Sequence, residues 1–239
     1  MNSTRLPGKA MMELAGKSLL YHVFERIKRT EGVDHVVLAT CNGVENGEII
    51  NLAESMGIHI FVGSEDNVLE RFFLASEKFG GDYIMRVTGD NPFTDPGYAA
   101  TAVTLTLAAK ADLCYLSNLP LGTGVGMVKK SALNIAYKQS DKPHQLEHVT
   151  PYIKEHPENF KIEIREIDLH NPFPNLRLTV DTAEDFELAK IIYQHLYHGK
   201  PFAIGDVIQF LEQNPGITAI NSNIKQRPMT HSSIQCGTA

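Results

Sequence analysis

The chain has 239 residues, a formal net charge of −6, and 43% hydrophobic against 21% charged residues. That length buries a sizeable core without staples, and the balance is that of a soluble globular protein. The acidic balance argues against a generic nucleic-acid binder, which presents a basic face. No apolar run reaches the length that spans a bilayer, and no charged-then-apolar leader opens the sequence. Cys41, Cys114 and Cys236 fit neither a zinc spacing nor a CxxC pair, so a reducing cytoplasm is the expected compartment.

In chain order, residues 34–40 are β-branched and apolar and predict a buried strand; residues 45–56 predict an amphipathic helix stopped by Gly57. A second strand is expected over 58–62, a helix over 68–79 closed by Gly80 and Gly81, and a third strand over 82–87. Residues 96–109, rich in Ala, Thr and Leu, predict a helix, and 112–116 a strand. The stretch 119–128 is glycine-rich, with short helices expected over 131–137 and 147–156. Residues 160–167 alternate strictly and predict a half-exposed strand. A short buried strand over 177–180 leads into a helix over 182–197, and a last helix covers 204–213. This alternation predicts an α/β fold, a doubly wound and mainly parallel sheet with helices on both faces. Residues 1–221 form the expected domain, and the polar, unpatterned residues 222–239 a tail.

Two glycine-bearing stretches imitate nucleotide motifs. Gly16-Lys17-Ser18 has the ending of a P-loop, but Met11 stands where its first glycine is needed and no strand leads in. Gly122-Thr123-Gly124-Val125-Gly126 has the wrong spacing for a dinucleotide fingerprint, and the expectation is a flexible loop.

Three segments carry chemistry. In Ser3-Thr4-Arg5-Leu6-Pro7-Gly8-Lys9 a bend at Pro7 and Gly8 can converge backbone amides and two cations on a polyphosphate; a solvated terminus is the alternative. In Arg86-Val87-Thr88-Gly89-Asp90-Asn91-Pro92 an Asp follows a buried strand, at the end of a sheet where α/β folds bind ligands; it is suited to a hard cation, or to capping the next helix. In Leu178-Thr179-Val180-Asp181-Thr182-Ala183-Glu184-Asp185, Asp181 again ends an apolar strand, while Thr182 and Asp185 form a helix start.

In this order and on this background the three segments resemble the cytidylyltransferase family, which includes the CMP-Kdo and CMP-sialic acid synthetases. The branch most similar is the spore coat polysaccharide biosynthesis protein F group, through residues 14–29, 63–72 and 147–153 as well. The resemblance implies a nucleotide-diphospho-sugar transferase-like fold and a Mg²⁺-dependent enzyme that transfers CMP from CTP to a sugar or sugar acid, releasing pyrophosphate, in glycan precursor synthesis. It places Arg5 and Lys9 on the triphosphate with Ser3 in the same loop, and Asp90 and Asp181 on Mg²⁺. Arg86 and Thr88 fall on the strand facing the nucleotide, Ser64 and Asp66 near the base, and Glu147 and His148 toward the sugar. A homodimer formed through residues 119–160 is also implied.

Family members begin several residues earlier, with a hydrophobic strand ending in a Gln-Ala-Arg-Met-like segment; Asn2 stands where the family carries Gly, and Gly124 and Gly126 where this branch carries acids. The expectation is therefore a sheet without its usual first strand, with two strands left lacking a neighbour. The alternatives are a non-catalytic nucleotide- or sugar-binding protein on this fold, or a transferase using another base.

Overall fold

The computed structural model describes residues 6–43 and 46–226. The described chain enters through a bend in which Gly8 takes φ +70°, followed by a 3-10 turn over Lys9–Met11. A small hairpin pairs β1 (Glu13–Leu14) with β2 (Lys17–Ser18), closed by Ala15 and Gly16, both at positive φ. Two-residue hairpins need that conformation. Ser18 then caps α1 (Leu19–Lys28) by accepting from the Tyr21 amide. The P-loop imitation is thus a hairpin turn followed by a helix cap.

A βαβ unit comes next: β3 (Val37–Cys41), α2 (Gly47–Ser55) and β4 (His59–Gly63), with β3 and β4 parallel. The remaining elements are α3 (Val68–Phe79), β5 (Tyr83–Arg86), α4 (Pro96–Ala109), β6 (Leu113–Ser117), β7 (Gly126–Lys129) and α5 (Lys130–Gln139). They are followed by α6 (Pro143–Glu147), α7 (Pro151–Glu155), β8 (Ile162–Glu166), α8 (Ala183–Leu196) and α9 (Ile204–Gln213). The second sheet has the order β5-β7-β6-β8; β7 runs antiparallel to both neighbours, and β6 and β8 are parallel.

The α/β expectation holds, with helices on both faces of this sheet. On one face α4 packs Ala99, Ala102 and Val103 against Cys114, Leu116 and Met127. On the other, Leu69 of α3, Leu133 of α5 and Ile153 of α7 cover Leu113 and Val128. A third core joins α1, α8 and α9 through Val23, Leu188, Ile192, Val207 and Leu211. The helices with clear periodicity and caps fall where expected. Strand β7 begins inside the glycine-rich stretch, and residues 177–180 make a single bridge, Leu121 to Arg177, rather than a strand.

Among the described residues the two main sheets do not join: β3 pairs with β4 alone and β5 with β7 alone. A cavity of about 650 Å³, lined by Val37, Leu38, Ile84 and Met85 among others, lies between their facing edges.

Inside the third core, His22 is buried and its Nε2–H donates to the Leu14 carbonyl at 2.8 Å. Burial pulls its pKa down to about 4, the bond to Leu14 opposes this, and Arg26 and Lys17 add to it. The Glu25 carboxylate, 4.0 Å from Nδ1, does not reverse the balance. The folded state therefore needs neutral His22. Its contribution is complete above the ordinary value of 6.5 and is lost as pH falls toward 4. Urea unfolding should show a loss of about 2–3 kcal/mol between about pH 7 and about pH 4.5 that His22→Gln, which keeps a donor, removes. Equal acid sensitivity in the two proteins would contradict this.

Candidate active site

Residues far apart in sequence converge through backbone first. The turn after β5 is held by Asn91 N–H on the Thr88 carbonyl at 3.2 Å, and the Val180 N–H donates to the Asp90 carbonyl at 2.9 Å. The segment carrying Val180 is in turn clamped by the loop before β7: Leu178 N–H donates to Leu121 O at 2.8 Å, and Leu121 N–H to Leu176 O at 3.2 Å. Gly122, at φ +93°, lets this loop lie against the segment; a Cβ there would come within 2.5 Å of the Thr179 nitrogen. Thr123 is fully buried, and its carbonyl accepts from the Asp95 amide at 2.9 Å. The glycine run is therefore a packed clamp rather than the flexible loop expected, because its backbone groups are spent on the Asp181 segment and on the start of α4.

Lys9 closes the arrangement. Its Nζ donates to Asp90 Oδ2 at 2.9 Å, to Asp181 Oδ1 at 3.0 Å and to the Val180 carbonyl at 2.7 Å. Arg177 holds the other Asp181 oxygen, Nη2 to Oδ2 at 2.6 Å, and its Nε reaches Asp185 Oδ1 at 2.9 Å. Asp185 is fully partnered: it also accepts from the amides of Asp181 and Thr182, at 3.0 and 3.1 Å, and from Asn221 Nδ2 at 2.9 Å. Burial by itself would lower the Arg177 pKa, but Asp185 and then Asp181 outweigh it and hold it above its ordinary value. Asp185 thus serves two purposes, the capping box of α8 with Thr182 and the anchor of Arg177.

Lys9, Asp90 and Asp181 are brought together as the sequence motifs imply. Ser3 and Arg5 lie outside the described residues. Arg86 and Thr88 line the cavity, as do Glu147 and His148. Ser64 and Asp66 are not joined to the cluster by any hydrogen bond or ion pair among the described residues. The Ser64 hydroxyl accepts from the Asn67 amide at 3.1 Å at the entry to α3. Sequence reasoning missed Arg177, Asp185 and Asn221 as site-building residues. Their available signal was the four-residue spacings from Arg177 to Asp181 and from Asp181 to Asp185, both masked by the helix-start pattern.

The oxygens of Asp90, Asp181 and Val180 all surround one cationic nitrogen within 3.0 Å. An all-oxygen donor set fits a hard divalent cation. Replacing Gly122 by Ala should destabilise the protein by on the order of 2–4 kcal/mol in urea unfolding, from left-handed strain plus the approach to Thr179. A change below about 0.5 kcal/mol would mean the clamp is not tight.

With this geometry in place, the comparisons are specific. A family model described as cytidylyltransferase matches residues 1–205. The spore coat polysaccharide biosynthesis protein SpsF of Bacillus subtilis is 32% identical over 220 residues, covering 90% of this chain and 92% of the relative. A 3-deoxy-manno-octulosonate cytidylyltransferase of Geobacter sulfurreducens is 32% identical over 103 residues, 42% of this chain and 40% of the relative. The solved structure of a cytidylyltransferase from Leptospira borgpetersenii superposes with a TM-score of 0.85 at 27% identity, covering 95% of each chain. The site described above is set in a chain that belongs to the cytidylyltransferase family.

Proposed function

We propose that this chain transfers CMP from CTP to a sugar acid and releases pyrophosphate. The observation that carries the reading is the convergence of Asp90, Asp181 and the Val180 carbonyl on the Lys9 ammonium, in a chain matched by a cytidylyltransferase model. An acceptor hydroxyl oxygen bonds to the α-phosphorus, the bond from that phosphorus to the bridging oxygen breaks, pyrophosphate leaves with the electron pair, and the hydroxyl proton passes to water.

The obstacle is electrostatic, since the attacking oxygen and the triphosphate repel. Asp90 and Asp181 would hold Mg²⁺, with the Val180 carbonyl beside them. The ion would supply charge neutralisation and alignment of phosphate oxygens. Lys9 neutralises the acid pair when no other cation does, and with Arg5 would stabilise charge gathering on the leaving pyrophosphate. Arg177 fixes the second oxygen of Asp181, so the carboxylate keeps one orientation. The reading also takes Thr88 as a nucleotide contact, Ser3, Ser64 and Asp66 as lying near the nucleotide, and the molecule as a cytoplasmic homodimer.

The direct test is pyrophosphate release from CTP with Mg²⁺ and a panel of eight- and nine-carbon sugar acids. Turnover should depend on acid, CTP and metal together, and Asp90→Asn should lower it by at least about 100-fold. Release with no acceptor dependence, or full activity in Asp90→Asn, would refute the reading. A second measurement separates binding from turnover. Because the Lys9 ammonium shares its oxygens with the proposed metal, Lys9→Met should tighten Mn²⁺ binding to the nucleotide-free protein while weakening CTP binding, each by on the order of tenfold. Calorimetry in which Mn²⁺ binding weakens, or CTP binding is unchanged, would show that Lys9 plays neither part.

A further inference from the structure

Strand β7 contains a glycine that its backbone does not require. Gly126 lies outside the positive-φ set, and a Cβ placed on it would meet nothing within 4 Å. It pairs with Arg86 on β5 and with Tyr115 on β6, so the three residues form one row across the sheet. Directly opposed residues project from the same face. Ile84 and Val128, two residues away from Arg86 and Gly126 on their strands, pack with α3, α5 and α7, so this is the face those helices cover. The row therefore has open floor at Gly126, walled by Arg86 and Tyr115, which stand about 10 Å apart across two strand spacings.

The roof is cationic. Lys154 of α7 stands with its Nζ 4.6 Å from the centre of the Tyr115 ring. His148, just before α7, lines the cavity with Arg86 and feels its charge. Among the described residues, the side chains of Arg86, Lys154 and His148 make no hydrogen bond and no salt bridge. The acids whose charge acts on them are Asp90, on Arg86 and already bonded to Lys9, and the exposed Glu147, on His148; Glu155, next to Lys154 in the chain, is bonded to His144 and Gln145. Burial, and then Arg86 itself, pull the Lys154 pKa down. Burial likewise pulls down Arg86, against the field of Asp90, and pulls down His148. Arg86 and Lys154, half-buried cations with no counter-ion bonded to either, are under electrostatic stress that an anion relieves, while His148 stands beside them as a neutral ring. Arg86 is also four residues before Asp90, on the strand that leads to it, so an anion bound here lies next to the proposed reacting centre.

The geometry points to the space over Gly126, between Arg86, Tyr115 and Lys154, as the subsite that takes the carboxylate of the acceptor, with His148 at its rim. The inference rests on the sugar-acid reading above and deepens it by naming the residues that select an acid. With Asp90 offsetting part of Arg86, the local excess matches the single charge of a carboxylate better than a phosphate dianion. The guanidinium offers paired donors to the two carboxylate oxygens, and the Lys154 ammonium, seated over the Tyr115 ring, adds N–H donors that no hydrogen bond among the described residues uses. Arg86 is thereby an acceptor contact rather than the nucleotide contact that the family motif implies.

The test is calorimetry on the full chain with 3-deoxy-manno-octulosonate and N-acetylneuraminate, each as the free acid and as its C1 amide, and with inorganic phosphate. At least one free acid should bind roughly 10- to 100-fold more tightly than its amide, the worth of a charge-assisted hydrogen bond. Lys154→Met, which keeps the apolar stem, and Gly126→Asp, which sets a carboxylate into the open floor, should each erase that preference while the melting temperature stays at the parent value. Equal binding of acid and amide, absence of binding by every acid, phosphate binding more tightly than any acid, or a preference that survives Lys154→Met would overturn the inference. Pyrophosphate release separates the two proposals. A preference for acids without turnover would sink the transferase reading and leave this subsite standing. Turnover without the preference would do the reverse.

Discussion

A single backbone hydrogen bond, from Val180 N–H to the Asp90 carbonyl at 2.9 Å, sets side by side two acidic residues, Asp90 and Asp181, that are 91 positions apart. Two neighbouring carboxylates repel, so the contact is tenable only if cations share them. Lys9 takes one oxygen from each, and Arg177 takes the remaining oxygen of Asp181. With side chains only 15–26% exposed at these pairs, removing either partner leaves a poorly solvated charge, a loss on the order of 3–5 kcal/mol for buried cases and less here. The supporting parts follow from this need: the Gly122 clamp that fixes residues 176–180, the Asp185 anchor behind Arg177, and the Gly8 bend that starts the turn bearing Lys9.

The sheet then separates the chemistry into two zones. Strand β5 ends at Arg86, and the acid cluster forms just beyond it, where open α/β sheets place ligands. On one side stand Lys9 and the acid pair, suited to a triphosphate with its cation. On the other, across β7 and β6, Arg86, Lys154 and the open floor at Gly126 form an electropositive patch in a protein whose net charge is −6. In an acidic molecule such a local positive excess suits an anionic partner at that place and not over the whole surface.

Much of this was legible in the sequence, for local reasons. Helices at Val68–Phe79 and Ile204–Gln213 fall on their expected bounds because apolar periodicity and end signals agree there, and Pro96–Ala109, which has no apolar stripe, is bounded by its Asp95 cap and by Pro96 in its first turn. Lys9, Asp90 and Asp181 were recognisable because each sits in a short motif whose turn residues position it. Strand β7 was hidden: its first residue is Gly126, and glycines before it read as loop, whereas pairing on both sides with β5 and β6 imposes the strand. Arg177 was hidden for another reason. Its role depends on Asp181 and Asp185, and both acids already had a sufficient explanation as the start of α8. Lys154 gave no local signal, since only the fold brings α7 over Tyr115.

The account turns on whether the oxygens now gathered around the Lys9 ammonium form the cation site of the nucleotide complex. Anomalous diffraction from crystals grown with Mn²⁺ and CTP measures this directly. The account predicts a single manganese peak within bonding distance of both Asp90 and Asp181, with the Lys9 ammonium displaced from between them toward the phosphates. A manganese peak elsewhere, with Lys9 still bridging the two carboxylates while CTP is bound, would contradict it.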